Sequence, residues 1–386
     1  MPAYTSKRVS NVTIELDTSS PAGPTERREH CLVSQSVATG LDRQSPHAAL
    51  GGHGQVRVIA DSGRSANFTI RGVVPDAVGD PPRIWVYPSR GVDAGGVSKL
   101  FAGAAPTPFG KARVLTPPPS AVTVQIGATP ATQTAWAESE GAGFIERVKI
   151  GGNQLIVIAP HGGVIEAGTV EQIAVLEAHL AQLCPELGQP TVWSCEGKLC
   201  RDNYDRLHIA SGDIDERSFP GLAQIWDTVA RYRPKLRFRY ALALHGTRRT
   251  DRSIVIGGRA SVADKKLVRD AIAAKFTAAG ETLNFCLLDA TNTVVPAPGA
   301  NFDCCWSTAR GGTSVRNIVN RLSANNGNVS GHGAFQIEQS KDLRAPAAGS
   351  PPYNVWIAEG LAAAMCQLLL TPRSPSAARG SAEAPP

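Results

Sequence analysis

Apolar and polar positions alternate along this chain with two periods, and the switch between them divides it. In the first third the period is two. Gln55-Val56-Arg57-Val58-Ile59-Ala60 and Ala66-Asn67-Phe68-Thr69-Ile70 alternate around an Asp61-Ser62-Gly63 turn, which predicts a hairpin. Arg83–Tyr87 and Ala121–Ile126 read as further strands, with Gly and Pro punctuating the rest. These patterns predict a small β-rich domain over residues 29–128, with a barrel as one way to close it. From residue 146 to 371 strand and helix patterns take turns, which predicts an α/β domain. Its strands are expected at 154–159, 190–194, 237–244, 252–256, 284–289 and 333–338. Its helices are expected at 169–183, 218–231, 262–278 and 355–370. Residues 1–28 and the tail 372–386 are polar or rich in Pro, Ser and Ala, and read as poorly ordered; residues 129–145 read as a linker.

The α/β part is organised around Leu155-Ile156-Val157-Ile158-Ala159-Pro160-His161-Gly162-Gly163-Val164-Ile165-Glu166-Ala167-Gly168-Thr169. Four apolar residues in a row suit a strand covered on both faces. Pro160, which cannot donate to a ladder, is expected to end it. His161 and Glu166 then fall beyond the strand's carboxyl end, where open α/β sheets place their ligands. Thr169 and Gln172 have the form of a capping box, and Ile173, Leu176, Leu180 and Leu183 supply a helical apolar stripe.

A catalytic zinc is commonly held by two His and one Glu, with a fourth position open to water. His161 and Glu166 fit two of those places. On one helix they would stand about 140° apart, so they must converge through the loop and its glycines. The same stretch also reads as a turn with a buried histidine and a solvated glutamate. Arg237–Gly246 repeats the arrangement, an apolar strand and then His245-Gly246. Parallel neighbouring strands would bring both imidazoles to one sheet edge, which favours a metal; a satisfied core histidine is the alternative.

Gly333–Ser340 alternates like a strand and places Glu338 near its end. A metal hydrolase needs a carboxylate that is not a ligand to take a proton from water, and Glu338 is the candidate by position. A solvated outer-face glutamate would look the same. Asn320 and Arg321 are candidates for holding a substrate carboxylate, since Arg does so bidentately. His208 is a candidate substrate contact rather than a ligand.

Charged residues make up 19% of the 386 and the net charge is +6. A mild positive excess favours an anionic substrate. No basic stripe with interleaved aromatics is present, so no nucleic-acid partner is expected. Eight cysteines spread over this length do not form a disulfide-dense scaffold. No apolar signal core opens the chain and no stretch approaches bilayer-spanning length, so no membrane partner and a cytoplasmic location, with release by lysis open, are expected.

Taken together, Ala159–Thr169, Leu207-His208-Ile209, Leu244-His245-Gly246 with Ile256-Gly257-Gly258, Asn317–Arg321, Gln336-Ile337-Glu338 and Asp342-Leu343-Arg344 resemble the poly-γ-glutamate hydrolase family over about residues 146–371. These are phage and bacterial zinc enzymes related in fold to the carboxypeptidase A group. The resemblance implies an open, mixed, twisted sheet with helices on both faces. It implies His161, Glu166 and His245 as Zn2+ ligands and Glu338 as general base. It also implies hydrolysis of γ-linked polyglutamate or a related carboxylate-bearing amide. Alternatives are a zinc N-acyl or N-formyl amino-acid amidohydrolase or peptidase, or a non-catalytic module binding an anionic polymer. The N-terminal β-rich region and the long Ala290–Gly312 loop with Cys304-Cys305-Trp306 depart from the family pattern.

Overall fold

The computed structural model describes residues 7–16, 30–42, 55–61, 65–86, 121–126, 144–197, 211, 214, 221–222, 225–226, 238–295, 312–314, 317–323 and 333–371. Its first part runs β1 (Lys7–Leu16), β2 (His30–Ser34), α1 (Gln35–Asp42), β3 (Gln55–Ala60), β4 (Ser65–Val74), β5 (Arg83–Val86) and β6 (Val122–Ile126). The six strands close into a barrel in the order β1-β5-β2-β4-β3-β6. Closure removes the unpaired edges that a small sheet would expose. Alternate residues point inward, so Val12, Ile14, Cys31, Val33, Val56, Val58, Ile84, Val86, Val122 and Val124 form one core, joined by Val37, Ala38 and Leu41 of α1. The predicted hairpin is β3–β4, antiparallel from Gln55↔Thr69 to Ile59↔Ser65.

The first 28 residues do not all lack structure, as their polarity led us to expect. β1 pairs with both β5 and β6. Its alternation is hidden because the β1–β6 register shifts between Val9 and Val12, with Asn11 at a φ of 57°. A bulge of this kind moves the apolar set out of phase.

The second part runs β7 (Phe144–Lys149), β8 (Leu155–Gly163), α2 (Thr169–Leu183), β9 (Thr191–Gly197), β10 (Tyr240–Gly246), β11 (Ser253–Gly257), α3 (Val262–Ala278), β12 (Asn284–Leu288), β13 (Val294–Val295), α4 (Ile318–Leu322), β14 (Ala334–Gln339), α5 (Lys341–Arg344) and α6 (Tyr353–Leu370). The eight-stranded sheet has the order β13-β12-β11-β14-β10-β8-β9-β7. β9, β8, β10 and β14 are parallel neighbours, whereas β11 turns against β14 and β7 against β9. The sheet is therefore mixed, as expected. β7 begins at Phe144, inside the stretch that reads as a linker. Charged Arg147 and Lys149 face solvent on this edge strand, and they disguise it. Of the helix expected over 218–231, Gly221, Leu222, Ile225 and Trp226 are described and helical.

Helices cover both faces. On one side Leu155, Val157, Leu242, Leu244, Phe335 and Ile337 pack against Leu176 and Leu180 of α2, Ile272 and Phe276 of α3, and Ile357 and Leu361 of α6. On the other, Ile156, Ile158, Ala241, Ala243 and Ala334 meet Ile318, Val319 and Leu322 of α4, with Leu222 and Ile225. Each such aliphatic side chain contributes about 1.5–3 kcal/mol on burial, which holds the strands in one register. Lys265 of α3 is fully buried among them, its Nζ donating to Gly258 O at 2.7 Å and Leu288 O at 2.5 Å.

Contrary to the sequence expectation, α6 is long and apolar enough to cross a membrane by length and composition. Its Ile357, Leu361, Met365 and Leu368 lie in the core beside α2 and α3. A disulfide, Cys184–Cys366, joins the end of α2 to α6, while Cys31 is a buried free thiol and Cys195 is also buried.

Candidate active site

β8 does not stop at Pro160. It continues to Gly163 because its ladder with β9 shifts register between Ala159 and Gly162, and the proline sits in that irregularity. Bulges are one of the few places a sheet accepts proline. The β8–β10 ladder ends at Ala243↔Ile158. His161 and His245 lie three and two residues further on, so both imidazoles leave adjacent parallel strands at one edge. Their ring centroids are 5.0 Å apart at an interplanar angle of 60°.

Glu166 is returned to this edge by a tight loop. Its N–H donates to His161 O at 2.8 Å, and its own carbonyl accepts from Thr169 Oγ1 at 2.9 Å. The capping box expected from Thr169 and Gln172 is not formed. Gly168 caps α2 in the left-handed region at a φ of 94°, which places Thr169 inside the helix. Gln172 instead exchanges two amide hydrogen bonds with Gln339, of 2.6 and 2.9 Å, and so ties α2 to the end of β14.

The three side chains converge. His161 Nδ1 lies 3.4 Å from Glu166 Oε1, and His245 Nδ1 lies 3.5 Å from Glu166 Oε2. One donor atom from each falls within 4.8 Å of the others, and each residue is only 3% exposed. Two imidazole nitrogens and a carboxylate oxygen around one buried point are a donor set that could hold a metal such as zinc, with a position left open. On its other nitrogen, His245 Nε2 lies 3.3 Å from Ser211 Oγ. Such outer partners fix which ring nitrogen faces inward. Burial disfavours the charged form of His245, but the hydrogen bond and charge of Glu166 and the charge of Glu338 outweigh it. Without a metal its pKa is held above the usual histidine value.

Glu338 is buried on the same sheet face, not solvated. Its Oε1 accepts from Gln336 Nε2 at 3.1 Å. Gln336 Oε1 accepts from Asn317 Nδ2 at 2.7 Å, and Asn317 Oδ1 accepts from Val319 N at the start of α4. A relay therefore orients the carboxylate from the helix that covers this face. Sequence reasoning assigned Gln336 no task. The available signal was its place two residues before Glu338 in a strand, which puts both side chains on one face.

Asn320 and Arg321, the candidates for holding a substrate carboxylate, both bond to the chain's own backbone. Asn320 Nδ2 donates to Gly312 O and Ser314 O, and its Oδ1 accepts from Arg259 N. Both amide hydrogens thus serve the backbone. Arg321 Nη2 donates to Ile214 O. His208, Cys304, Cys305 and Trp306 lie outside the described residues.

The mixed α/β sheet brings two imidazoles and two carboxylates to one edge, and the family match that follows makes the class a hydrolase. More narrowly, the poly-gamma-glutamate hydrolase family matches residues 132–346, more than half of the chain, and the protein belongs to that family. Among solved structures it is similar to a bacteriophage poly-gamma-glutamate hydrolase, at 19% identity and a TM-score of 0.34, over 58% of this chain and 89% of that one. Zinc-free YNDL is similar at 20% identity and a TM-score of 0.35, over 59% and 90%. A metallo-carboxypeptidase from Pseudomonas aeruginosa, in complex with (2-guanidinoethylmercapto)succinic acid, is similar at 11% identity and a TM-score of 0.30, over 95% and 90%. No curated protein matches the sequence.

Proposed function

We propose that the protein is a zinc-dependent amide hydrolase that cleaves γ-linked polyglutamate or a related carboxylate-bearing amide. The observation that carries this reading is the convergence of His161, Glu166 and His245 on one buried point, with Glu338 on the neighbouring strand. The donor set fits zinc: nitrogen and oxygen ligands, three in number, at a sheet edge. His161, Glu166 and His245 would hold the zinc ion, which when bound would supply Lewis acidity, polarising a carbonyl and making water acidic enough to attack near neutral pH. Glu338 accepts a proton from the attacking water on its carboxylate, while the water oxygen bonds to the amide carbon. The same carboxyl group then gives that proton to the departing nitrogen as the C–N bond breaks, leaving a carboxylate and an amine. The Gln336 amide keeps Glu338 pointed along that path. A γ-linked polymer carries one α-carboxylate per residue, and the net charge of +6 favours its approach.

Metal content of the purified wild type and of His161→Ala, by elemental analysis, tests the reading. Stoichiometric zinc in the wild type and its loss in the variant are expected. Cleavage should then be faster for γ-linked polyglutamate than for α-linked peptide or N-acyl amino acids. A wild type that takes up no zinc when supplied with it would overturn the proposal, and preference for an N-acyl amino acid would replace the substrate.

A further inference from the structure

The short helix α5 follows the strand that carries Glu338, and its last residue, Arg344, is 5% exposed. Burying a guanidinium is costly, and an apolar side chain of similar size often serves stability as well or better. Something must therefore use its planar, multiply donating head. Arg344 Nη1 donates to Ala167 O, the carbonyl next to Glu166. The rest of the head lies against Gly246, next to His245: a Cβ at Gly246 would stand 2.0 Å from Arg344 Nε and 2.6 Å from Cζ. The backbone of Arg344 closes on the same loop, since a Cβ at Gly168 would stand 1.7 Å from Arg344 O. One residue thus touches the position following each of two converging side chains, one on a loop and one at the end of a strand. It reaches both from a helix that begins three residues after Glu338.

The surroundings of α5 make it a fixed anchor. Thr247 N donates to Gln339 O, and Lys341 N donates to Arg249 O, binding the chain after His245 to the end of β14. Ser340 accepts from Ser253 N through its hydroxyl and donates its own N–H to Ser253 O, adding β11. Gln339 and Gln172 add the first turn of α2. Arg344 is the side chain through which this braced corner reaches both loops.

We infer that Arg344 is a positioning residue, a clamp that fixes the Glu166 loop and the end of β10 at the separation a metal ion needs. The inference rests on the zinc reading above. It predicts that the site is assembled before the metal arrives, so that loss of the clamp lowers metal affinity in a protein that still folds. Outer partners of this kind typically change affinity about 10- to 100-fold.

The test is zinc affinity, by competition with a chromophoric chelator, for the wild type, Arg344→Met and Arg344→Lys, each confirmed folded by circular dichroism. Arg344→Met should bind zinc about 10- to 100-fold more weakly. Arg344→Lys keeps one donor for Ala167 O and should fall between the two. In turnover, kcat should drop with little change in KM. A purely structural arginine would lower the melting temperature and leave zinc affinity alone, and a folded Arg344→Met with wild-type affinity overturns the clamp. Should Arg344→Met fail to fold, Gly246→Ala displaces the head without deleting it. Weaker zinc binding there sustains the inference, and unchanged binding overturns it. A wild type that binds no zinc at all is a different failure, of the functional reading itself, and shows before any variant is compared.

Discussion

Glu338 and His245 are register partners across the parallel β10–β14 ladder, with their side chains on the same face at the same edge. Neighbouring strands lie about 4.8 Å apart, so the sheet itself sets the distance between the proposed base and a proposed ligand. No loop has to find it. Glu338→Gln should therefore keep the fold and one zinc per chain, while turnover falls about 10²- to 10⁴-fold. Elemental analysis beside initial rates checks this, and undiminished turnover would remove Glu338 from the mechanism.

Gln336 orients that carboxylate through one hydrogen bond. Gln336→Leu should leave zinc binding unchanged and lower kcat about 10-fold or more. Gln336→Glu would set a second negative charge beside Glu338, raise the pKa of the pair and move the acid limb of the pH–rate profile upward. An acid limb that stays in place in Gln336→Glu would show that the two groups do not communicate.

Lys265 gives the fold a pH dependence away from the site. Burial pushes its ammonium down to about 8; Asp289 draws it back up, and Arg259 adds to the lowering. The unfolded chain keeps that proton to about pH 10.4, whereas the folded chain releases it near 8. Between these values the unfolded state binds more protons, so the Lys265 contribution to stability rises with pH. Below about pH 8 both states are charged and the cost of the buried charge is at its full value. The rise amounts to about 3 kcal/mol across the window. Urea midpoints at several pH values should show it in the wild type and not in Lys265→Met. Identical pH slopes in the two proteins would refute it. The variant also leaves two buried carbonyls without their donor, which costs about 1–3 kcal/mol at any pH.

Gly168 admits no side chain. Its φ of 94° lies in the left-handed region and its missing Cβ would meet the backbone oxygen of Arg344. Gly168→Ala should destabilise the fold by more than about 1 kcal/mol, through strain and displacement of α5. A melting curve checks this, and an unchanged midpoint would mean that the two segments separate at no cost.

What could be read from the sequence followed from burial. β8 and β10 are covered on both faces, so each reads as an apolar run that ends in His-Gly, and the run announces both strand and site. α2 and α3 occupy the spans that their apolar periodicity predicts, 169–183 and 262–278. Elements on edges or interrupted by bulges were harder to see: β7 is half charged, and β1 changes phase at Asn11. Side-chain direction was the least legible property. The residue types at 317, 320 and 321 all suit substrate binding, yet Asn317 orients Gln336 and Asn320 secures a loop. The Gln172–Gln339 pair joins residues 167 positions apart, and no local pattern records such a contact.

The Cys184–Cys366 bond also sorts the site into two covalent parts. It closes a ring that carries β9 through α5, and with them His245, Glu338 and Arg344. His161 and Glu166 lie outside, on the segment leading into the ring. A single protease cut between Cys184 and His245 would open that ring without detaching anything. The nicked protein would migrate as one species until reduced, and only then would separate pieces bearing the two histidines appear.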